Sequence, residues 1–231
     1  MKTSKIIFLS LLGAFALIML ATFIDIRMTG TRNSDWQKEF KTNREILHTF
    51  KAISMSNSMN VTLVQNDSSY IEVTFLKDSI APKVNYSVNG DTLFISDFEK
   101  LVHRNVSVTI HATDSLTNVR LKNSNLNVSR IGNRNLSFDL FKSSLSLNRD
   151  TIVKTAVPAI YIVAWNHSQI NSEEFTIDTL RLDMHNSEAN LELIAKNLIG
   201  TLSDSSKINI RQPESISLKK DGTSKINVND Y

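Results

Sequence analysis

Cysteine is absent from this chain of 231 residues, and glycine and proline are scarce. Without cysteine, the protein has no disulfides, no thiolate metal sites, no cysteine nucleophile and no acylated lipoprotein cysteine. The presence of only 6 glycines and 3 prolines excludes collagen-like and proline-rich classes. A large charge of one sign is also missing, because 26 basic residues stand against 23 acidic ones. This dispersed net charge gives no reason to expect a nucleic-acid partner.

One long hydrophobic run lies near the start of the chain, from Ile6 to Ile24, after two lysines. As a helix it would be about 28 Å long, close to the ~30 Å hydrocarbon core of a bilayer. The run is longer than the apolar part of most cleaved signal peptides and lacks an A-x-A end. We therefore interpret residues 1–25 as a signal anchor that contacts the membrane through residues 6–24, with a cleaved signal peptide as the alternative. Both interpretations place the rest of the chain outside the cytoplasm, in the periplasm or at the cell surface.

Residues 26–45 are polar and rich in charge, which is typical of a linker next to a membrane. The segment has room for one short helix around Trp36–Phe40. Trp36 either anchors at the lipid interface or packs on the end of the following domain.

From Ile46 onward, apolar residues recur at every second position, which is the period of a strand with one buried face. The sequence Asn89-Gly90-Asp91 lies between two such segments and predicts a hairpin, because Asn-Gly accepts positive φ angles. Residues 46–231 are thus expected to form an all-β domain. Its first part, residues 46–115, is expected to consist of strands and hairpins.

The second part, residues 116–231, repeats with a period near nineteen residues. Serines separated by 19, 25, 19, 19 and 18 residues precede similar strands; they are Ser124, Ser143, Ser168, Ser187, Ser206 and Ser224. A second strand precedes most of these serines, and the alignment places Val163 and Trp165 on the inward face. Two strands and polar turns per repeat indicate a β-solenoid of about six coils. An antiparallel meander or sandwich is the plainer alternative.

A polar residue recurs three positions after each serine and should point away from the core. These residues are Asn127, Ser146, Asn171, Asn190, Asn209 and Asn227. Stacked amides can hydrogen-bond from coil to coil, so a structural ladder is one interpretation. The other is a polar face that binds glycan hydroxyls, with the five asparagines as its binding residues. Tyr161 and Trp165 are candidate aromatic contacts for a sugar, although core packing also explains Trp165.

No catalytic motif or metal-ligand spacing is evident, and no cofactor or metal is expected. Asp139 and Asp183 share one repeat position two coils apart. Their separation of about 9–10 Å is near that of the two carboxylates of inverting glycosidases. The five histidines fall at unrelated positions and are interpreted as surface or turn residues.

Four segments give the domain a family likeness: FKAISMSNSMNVTLVQ (Phe50–Gln65), VNGDTLFISD (Val88–Asp97), VSVTIHATDSLTNVRLKNSNLNV and GTSKINV (Gly222–Val228). In these segments the chain resembles the head GIN domain family of putative auto-transporter adhesins, common in Bacteroidota. The resemblance implies an exported, solenoid-like β domain and supplies no catalytic residues. The chain departs from the family where turns that often read Ser-Gly are mostly Asn, Ser or Lys here. It also has an apolar segment where other members carry a lipoprotein cysteine.

The prediction is a non-enzymatic, membrane-anchored, adhesin-like protein that binds a surface glycan or protein. One alternative is a carbohydrate-active enzyme on a β-helical scaffold, using Asp139 and Asp183. Another is an envelope sensor or regulatory membrane protein. Unpaired strand edges at the end of a solenoid also suggest a homo-oligomer.

Overall fold

Alternating apolar residues form strands throughout most of the computed structural model, which describes residues 12–13, 15, 17–23, 39–58, 61–97, 106–130, 135–148, 157–211 and 213–229. The strands are β1 (Phe40–Ile46), β2 (Ala52–Ser56), β3 (Val61–Gln65), β4 (Tyr70–Leu76), β5 (Asn85–Asn89), β6 (Thr92–Ser96), β7 (Ser107–Ala112), β8 (Asn118–Lys122), β9 (Asn125–Arg130), β10 (Leu136–Phe141), β11 (Ser144–Leu147), β12 (Val157–Trp165), β13 (Gln169–Ser172), β14 (Thr176–His185), β15 (Glu188–Leu191), β16 (Ile194–Ser203), β17 (Lys207–Arg211), β18 (Ser215–Lys220) and β19 (Lys225–Asn229). The prediction of an all-β domain is confirmed.

The chain divides into residues 1–41 and residues 42–231, which are described separately. In the first unit, residues 12–13, 15 and 17–23 are helical. Among the described residues, no helix is both long and apolar enough to cross a membrane. The rest of the run predicted to be an anchor, and Trp36, lie outside the described residues. Phe40, which the sequence places at the end of a short helix, instead begins β1.

Two large sheets contain all of these strands. Sheet A has the order β1-β4-β7-β3-β9-β11-β13-β15-β17-β19, and sheet B has the order β18-β16-β14-β12-β10-β8-β2-β6-β5. From β8 onward the chain passes alternately from sheet B to sheet A, and neighbouring strands within each sheet are parallel. Residues one repeat apart therefore become neighbours, as Ile208 and Ile226 do.

One hydrophobic core contains side chains from both sheets. Phe138 and Leu140 of sheet B and Leu145 and Leu147 of sheet A are completely buried. Because side chains alternate along a strand, the residues between them point outward. Each rung, meaning one strand of each sheet, thus adds apolar side chains to the same core.

The corner between sheets B and A is formed by a left-handed residue followed by a buried serine. Lys142 has a φ of 50°, and Ser143 is only 4% exposed. The Ser124 backbone N–H donates to Ser143 Oγ at 3.2 Å, and this hydroxyl donates to the Phe141 carbonyl at 2.8 Å. The same bond joins the Ser143 N–H to Ser168 Oγ and the Ser187 N–H to Ser206 Oγ. These serines thus satisfy buried backbone groups of the neighbouring rung, which accounts for their recurrence.

Trp165 points outward, so its predicted inward position is wrong. Two left-handed residues, Asn166 and His167, precede Ser168, whereas a single one precedes Ser143. This extra residue moves the alignment by one position. Near the end of β12, Ile162 and Ala164 are completely buried, whereas Trp165 is 40% exposed. Val163, which was also expected to face inward, is only half-buried.

The first part of the chain continues both sheets, which the sequence pattern did not reveal. Strands β2 and β3 pair in parallel with β8 and β9, and β6 and β7 lie on the far side of β2 and β3. Ser58 is buried at the equivalent corner, and its N–H donates to Ser124 Oγ at 3.2 Å. The predicted hairpin is confirmed, since β5 and β6 pair antiparallel around Gly90, which has a φ of 57°.

Gly200 allows two rungs of sheet B to approach closely. It pairs with Leu182 and Leu218 and has a φ of 139°. A Cβ atom at this position would lie 1.9 Å from the Leu182 carbonyl oxygen. Only glycine fits here without moving the neighbouring strand.

We expect Gly200→Ala to destabilise the fold by about 3 kcal/mol or more, because it adds both a backbone clash and an unfavourable φ angle. Gly222→Ala is the matched control, since a Cβ there would meet nothing within 4 Å. Urea denaturation of both variants measures the difference. Equal stability of the two variants would contradict the close approach.

We expect Ser143→Ala to cost about 1–3 kcal/mol of folding stability, because it leaves the buried N–H of Ser124 without an acceptor. Ser144→Ala, one residue further along and half-exposed, should change stability by less than about 0.5 kcal/mol. Chemical denaturation compares the two. A Ser143→Ala variant as stable as the wild type would show that the serine corner does not hold the rungs together.

Candidate functional site

The asparagine ladder lies on the outer face of sheet A. In-register parallel pairing joins Asn127, Ser146, Asn171, Asn190, Asn209 and Asn227 in one row. The Asn227 amide nitrogen donates to the Asn209 amide oxygen at 2.7 Å, and Asn209 donates in the same way to Asn190 at 2.5 Å. The amides of this part of the ladder therefore all point in the same direction.

A groove of about 550 Å³ runs beside the ladder. Its lining includes Asn171, Asn190, Glu192, Asn209, Arg211 and Asn229. Arg211 pairs with Asn229 of the next rung, and its Nη1 lies 2.9 Å from Glu174 Oε1. The groove is open and polar, and a carboxylate already engages its guanidinium group.

A row of charged and amide side chains runs beside the ladder on the serine side. Gln169, Glu188, Lys207 and Lys225 are paired from rung to rung, and Lys207 Nζ lies 3.2 Å from Glu188 Oε1. A smaller groove of about 280 Å³ is lined by His167 and by the first three members of this row. The basic residues at the end of the row are thus partly neutralised.

Tyr161 and Trp165 lie on sheet B and are separate from the ladder on sheet A. The Trp165 ring stacks on His185 with centroids 3.7 Å apart and an interplanar angle of 1°. This stack covers one of the two faces of the indole on which a sugar ring could stack. The structure therefore does not bring the aromatic candidates and the asparagine candidates into one site.

His185 also belongs to a serine–histidine–aspartate cluster. Its Nδ1 atom lies 2.7 Å from Ser203 Oγ and 3.4 Å from Asp204 Oδ2. A hydrolytic triad needs one ring nitrogen for the serine and the other for the carboxylate. Here both partners meet the same nitrogen, so the cluster does not have the geometry of a triad.

Asp139 and Asp183 share a register position, with Val163 between them. Asp139 lies 3.8 Å from Arg120 Nε. Asp183 lies 3.0 Å from Arg181 Nε and accepts a hydrogen bond from Thr201 at 2.8 Å. Each carboxylate thus has its own cationic neighbour on an outer face of sheet B. Within the part of the chain that the structure describes, no cluster of three His, Asp or Glu side chains could hold a metal ion.

A second large cavity, of about 580 Å³, lies at the β1 and β5 end of the sheets and was not predicted. Ile71, Val73 and Val84 contribute apolar walls, and Tyr86 lies beside Glu45. Burial, together with a hydrogen bond to Glu45, raises the pKa of Tyr86 to about 12. The phenol thus stays protonated and donates to the carboxylate.

His111 is buried in a stack near the same end of sheet A. Its ring lies 3.9 Å from that of Tyr70, and the Arg44 guanidinium lies 3.5 Å from the centre of the Tyr70 ring. Burial lowers the pKa of His111, and the nearby Arg44 lowers it further, whereas Glu72 at 3.3 Å opposes the shift. Asn66 Nδ2 lies 3.3 Å from the other ring nitrogen.

Because the pKa of His111 is lower in the folded protein, the unfolded chain binds a proton first as the pH falls below about 6.5. We therefore expect folding stability to decrease between pH 6.5 and the lowered pKa of His111. His111→Phe keeps an aromatic ring against Tyr70 and should remove this part of the pH dependence. Denaturation curves of both proteins at several pH values measure it. Identical pH profiles would contradict the role of His111.

The sequence profile described as "Putative auto-transporter adhesin, head GIN domain" matches residues 49–230. This match spans most of the chain, so the chain belongs to that family. The description indicates an adhesin-like protein that is exported or exposed at the surface. A comparison with the curated proteins gives no match.

Solved structures of several bacterial proteins are similar to this chain. A putative adhesin from Bacteroides fragilis NCTC 9343 is 14% identical, with 83% of this chain and 98% of that chain covered and a TM-score of 0.52. A putative adhesin from Parabacteroides distasonis ATCC 8503 is 14% identical over 83% and 97% of the two chains, with a TM-score of 0.47. One from Parabacteroides merdae ATCC 43184 is 13% identical over 83% and 96%, with a TM-score of 0.45. The similarity to the Bacteroides fragilis protein, with a TM-score of 0.52 at 14% identity, shows that the two chains share a fold.

Proposed function

We propose that this chain is a non-enzymatic, exported β-solenoid protein that binds a surface glycan or protein through the groove beside the asparagine ladder. The observation that carries the proposal is the row of in-register amides that lines an open groove of about 550 Å³. Polar side chains on rigid strands present hydrogen-bonding groups at fixed spacing, which is what recognition of an extended ligand requires.

The proposed solenoid has about six coils in residues 116–231. Its support is the alternation of strands between two parallel sheets with residues one repeat apart in register. We further propose that residues 6–24 anchor the protein in a membrane, with the β domain outside the cytoplasm. The support for this is the length of the apolar run and the family's adhesin description.

A binding role is favoured over a carbohydrate-active enzyme. Asp139 and Asp183 each contact an arginine, and Val163 stands between them. A glycosidase needs one of its two carboxyl groups to act as a proton donor across a bound sugar. Neither aspartate lies at the groove beside the ladder.

Self-association through β18 and β19 stays a prediction. Lys220 stands in register with the buried Leu202 and its Nζ donates to the Ser224 carbonyl at 3.3 Å. Asp221 accepts the Ser224 N–H at 2.8 Å. A lysine at an inward position discourages pairing at a sheet edge, so Lys220 does not favour this self-association.

The double variant Asn190→Ala/Asn209→Ala should weaken binding to surface components by about tenfold or more, because each lost hydrogen bond contributes about 0.5–1.5 kcal/mol. The labelled full chain is applied to an array of bacterial and host polysaccharides and of envelope proteins, and bound ligands are then titrated.

Asn118→Ala is the matched control, since it removes an exposed asparagine from sheet B. Asp139→Asn/Asp183→Asn should bind as the wild type does. The proposal is wrong if no surface component binds, or if binding survives in the ladder variant.

A further inference from the structure

The ladder groove carries information about the chemistry of its ligand. We infer that the groove takes a neutral, hydroxyl-rich polysaccharide that runs along the row of amides, rather than a polyanion or an extended peptide. This inference rests on the proposed function, because it assigns a ligand class to the same groove.

The Asn209 amide keeps one donor and one acceptor lone pair for a ligand beyond its bonds within the ladder. An asparagine amide has two N–H donors and an oxygen with two lone pairs. Asn209 uses one donor towards Asn190 and one lone pair to accept from Asn227. Asn190 and Asn227, which each use one group within this pair of bonds, likewise keep at least one donor and one lone pair. These rungs can therefore offer an adjacent N–H and C=O pair, which matches a hydroxyl group because a hydroxyl both donates and accepts.

The spacing of the rungs fits a peptide poorly. Parallel strands repeat about every 4.8 Å across a sheet, so the amides recur at that interval. The same-side backbone groups of an extended peptide recur only every ~6.8 Å, or two residues at ~3.4 Å each. Over three rungs the mismatch is about 4 Å, which is more than a hydrogen bond tolerates. A sugar chain carries hydroxyls on every ring and does not have this constraint.

The charges of the groove do not favour a polyanion. Its lining contains one carboxylate, Glu192, and one guanidinium, Arg211. The guanidinium is already in an ion pair with Glu174 at 2.9 Å. Binding an anionic polymer would need an excess of accessible cations, as electrostatic recognition does elsewhere.

The experiment titrates the full chain with neutral α- and β-glucans, mannan, galactan and an N-acetylhexosamine polymer. Polygalacturonate, heparin and an unstructured peptide serve as comparison probes. We expect at least one neutral polymer to bind at least tenfold more tightly than either polyanion. Its Kd should change less than twofold between 0.05 and 0.5 M salt, because charge contributes little.

Two variants connect this binding to the groove. Asn190→Ala/Asn209→Ala should weaken the neutral polymer at least tenfold, while Arg211→Gln should change its affinity less than threefold. If the double variant folds poorly, Asn190→Gln keeps the amide but extends it by one methylene group into the groove, and the same loss is expected. Circular dichroism checks the fold of each variant.

The outcomes separate the ligand class from the proposed function. Salt-sensitive binding of polygalacturonate or heparin that is lost in the ladder variants would overturn the neutral-polymer inference but leave the groove as the binding site. Binding of the peptide that is lost in the ladder variants would also overturn the neutral-polymer inference and leave the groove as the binding site. No binding by any neutral polymer would also overturn the inference. Binding of any probe that is unchanged in the ladder variants would overturn both proposals.

Discussion

The hydrogen bond from one buried serine to the next fixes the geometry on which the other features depend. At four corners a serine hydroxyl, that of Ser124, Ser143, Ser168 or Ser206, accepts the backbone N–H of the serine in the preceding rung. Each of these hydroxyls also donates to a carbonyl of its own rung. If the backbone groups at a corner were buried without hydrogen-bond partners, the folded state would be destabilised. With the corners aligned, the strands that follow them are in register, and residues of one kind form continuous rows.

The asparagine ladder follows from this alignment. The row from Asn127 to Asn227, in which Ser146 occupies one position, is in register because successive strands leave aligned corners. The hydrophobic core on the inner face of sheet A and the ladder on its outer face therefore both depend on the alignment of the corners. The surface that we propose for binding rests on completely buried side chains such as Leu145 and Ile170, which gives it a rigid base. Sheet B does not share the groove, and its outer face carries the Trp165–His185 stack and the ion pairs of Asp139 and Asp183.

Periodicity predicted much of the second half of the chain. The serine spacing placed Ile208 beside Ile226 and the asparagines in one row, because these residues follow their corner serines by the same number of positions. The prediction for Trp165 was wrong where a corner gains one left-handed residue, His167, which no period reveals. Ser58 was missed for a similar reason, since Val61 follows it by three positions instead of two and pairs with Leu126. The groove itself could not be predicted, because it depends on the turns that follow each strand.

The order of strands in the first part of the β domain, from β1 to β7, has a consequence for how the chain folds. Most pairings in the second half join residues about one repeat apart, so each new rung can add to the one before it as soon as it emerges. Strands β6 and β7 instead return past β2 and β3, after the excursion through β4 and β5. That end closes the longer loops, so the entropy cost of loop closure is greater there. The rungs of the second half form at the lower entropy cost, and a nucleus that arises among them can be extended rung by rung towards the first part.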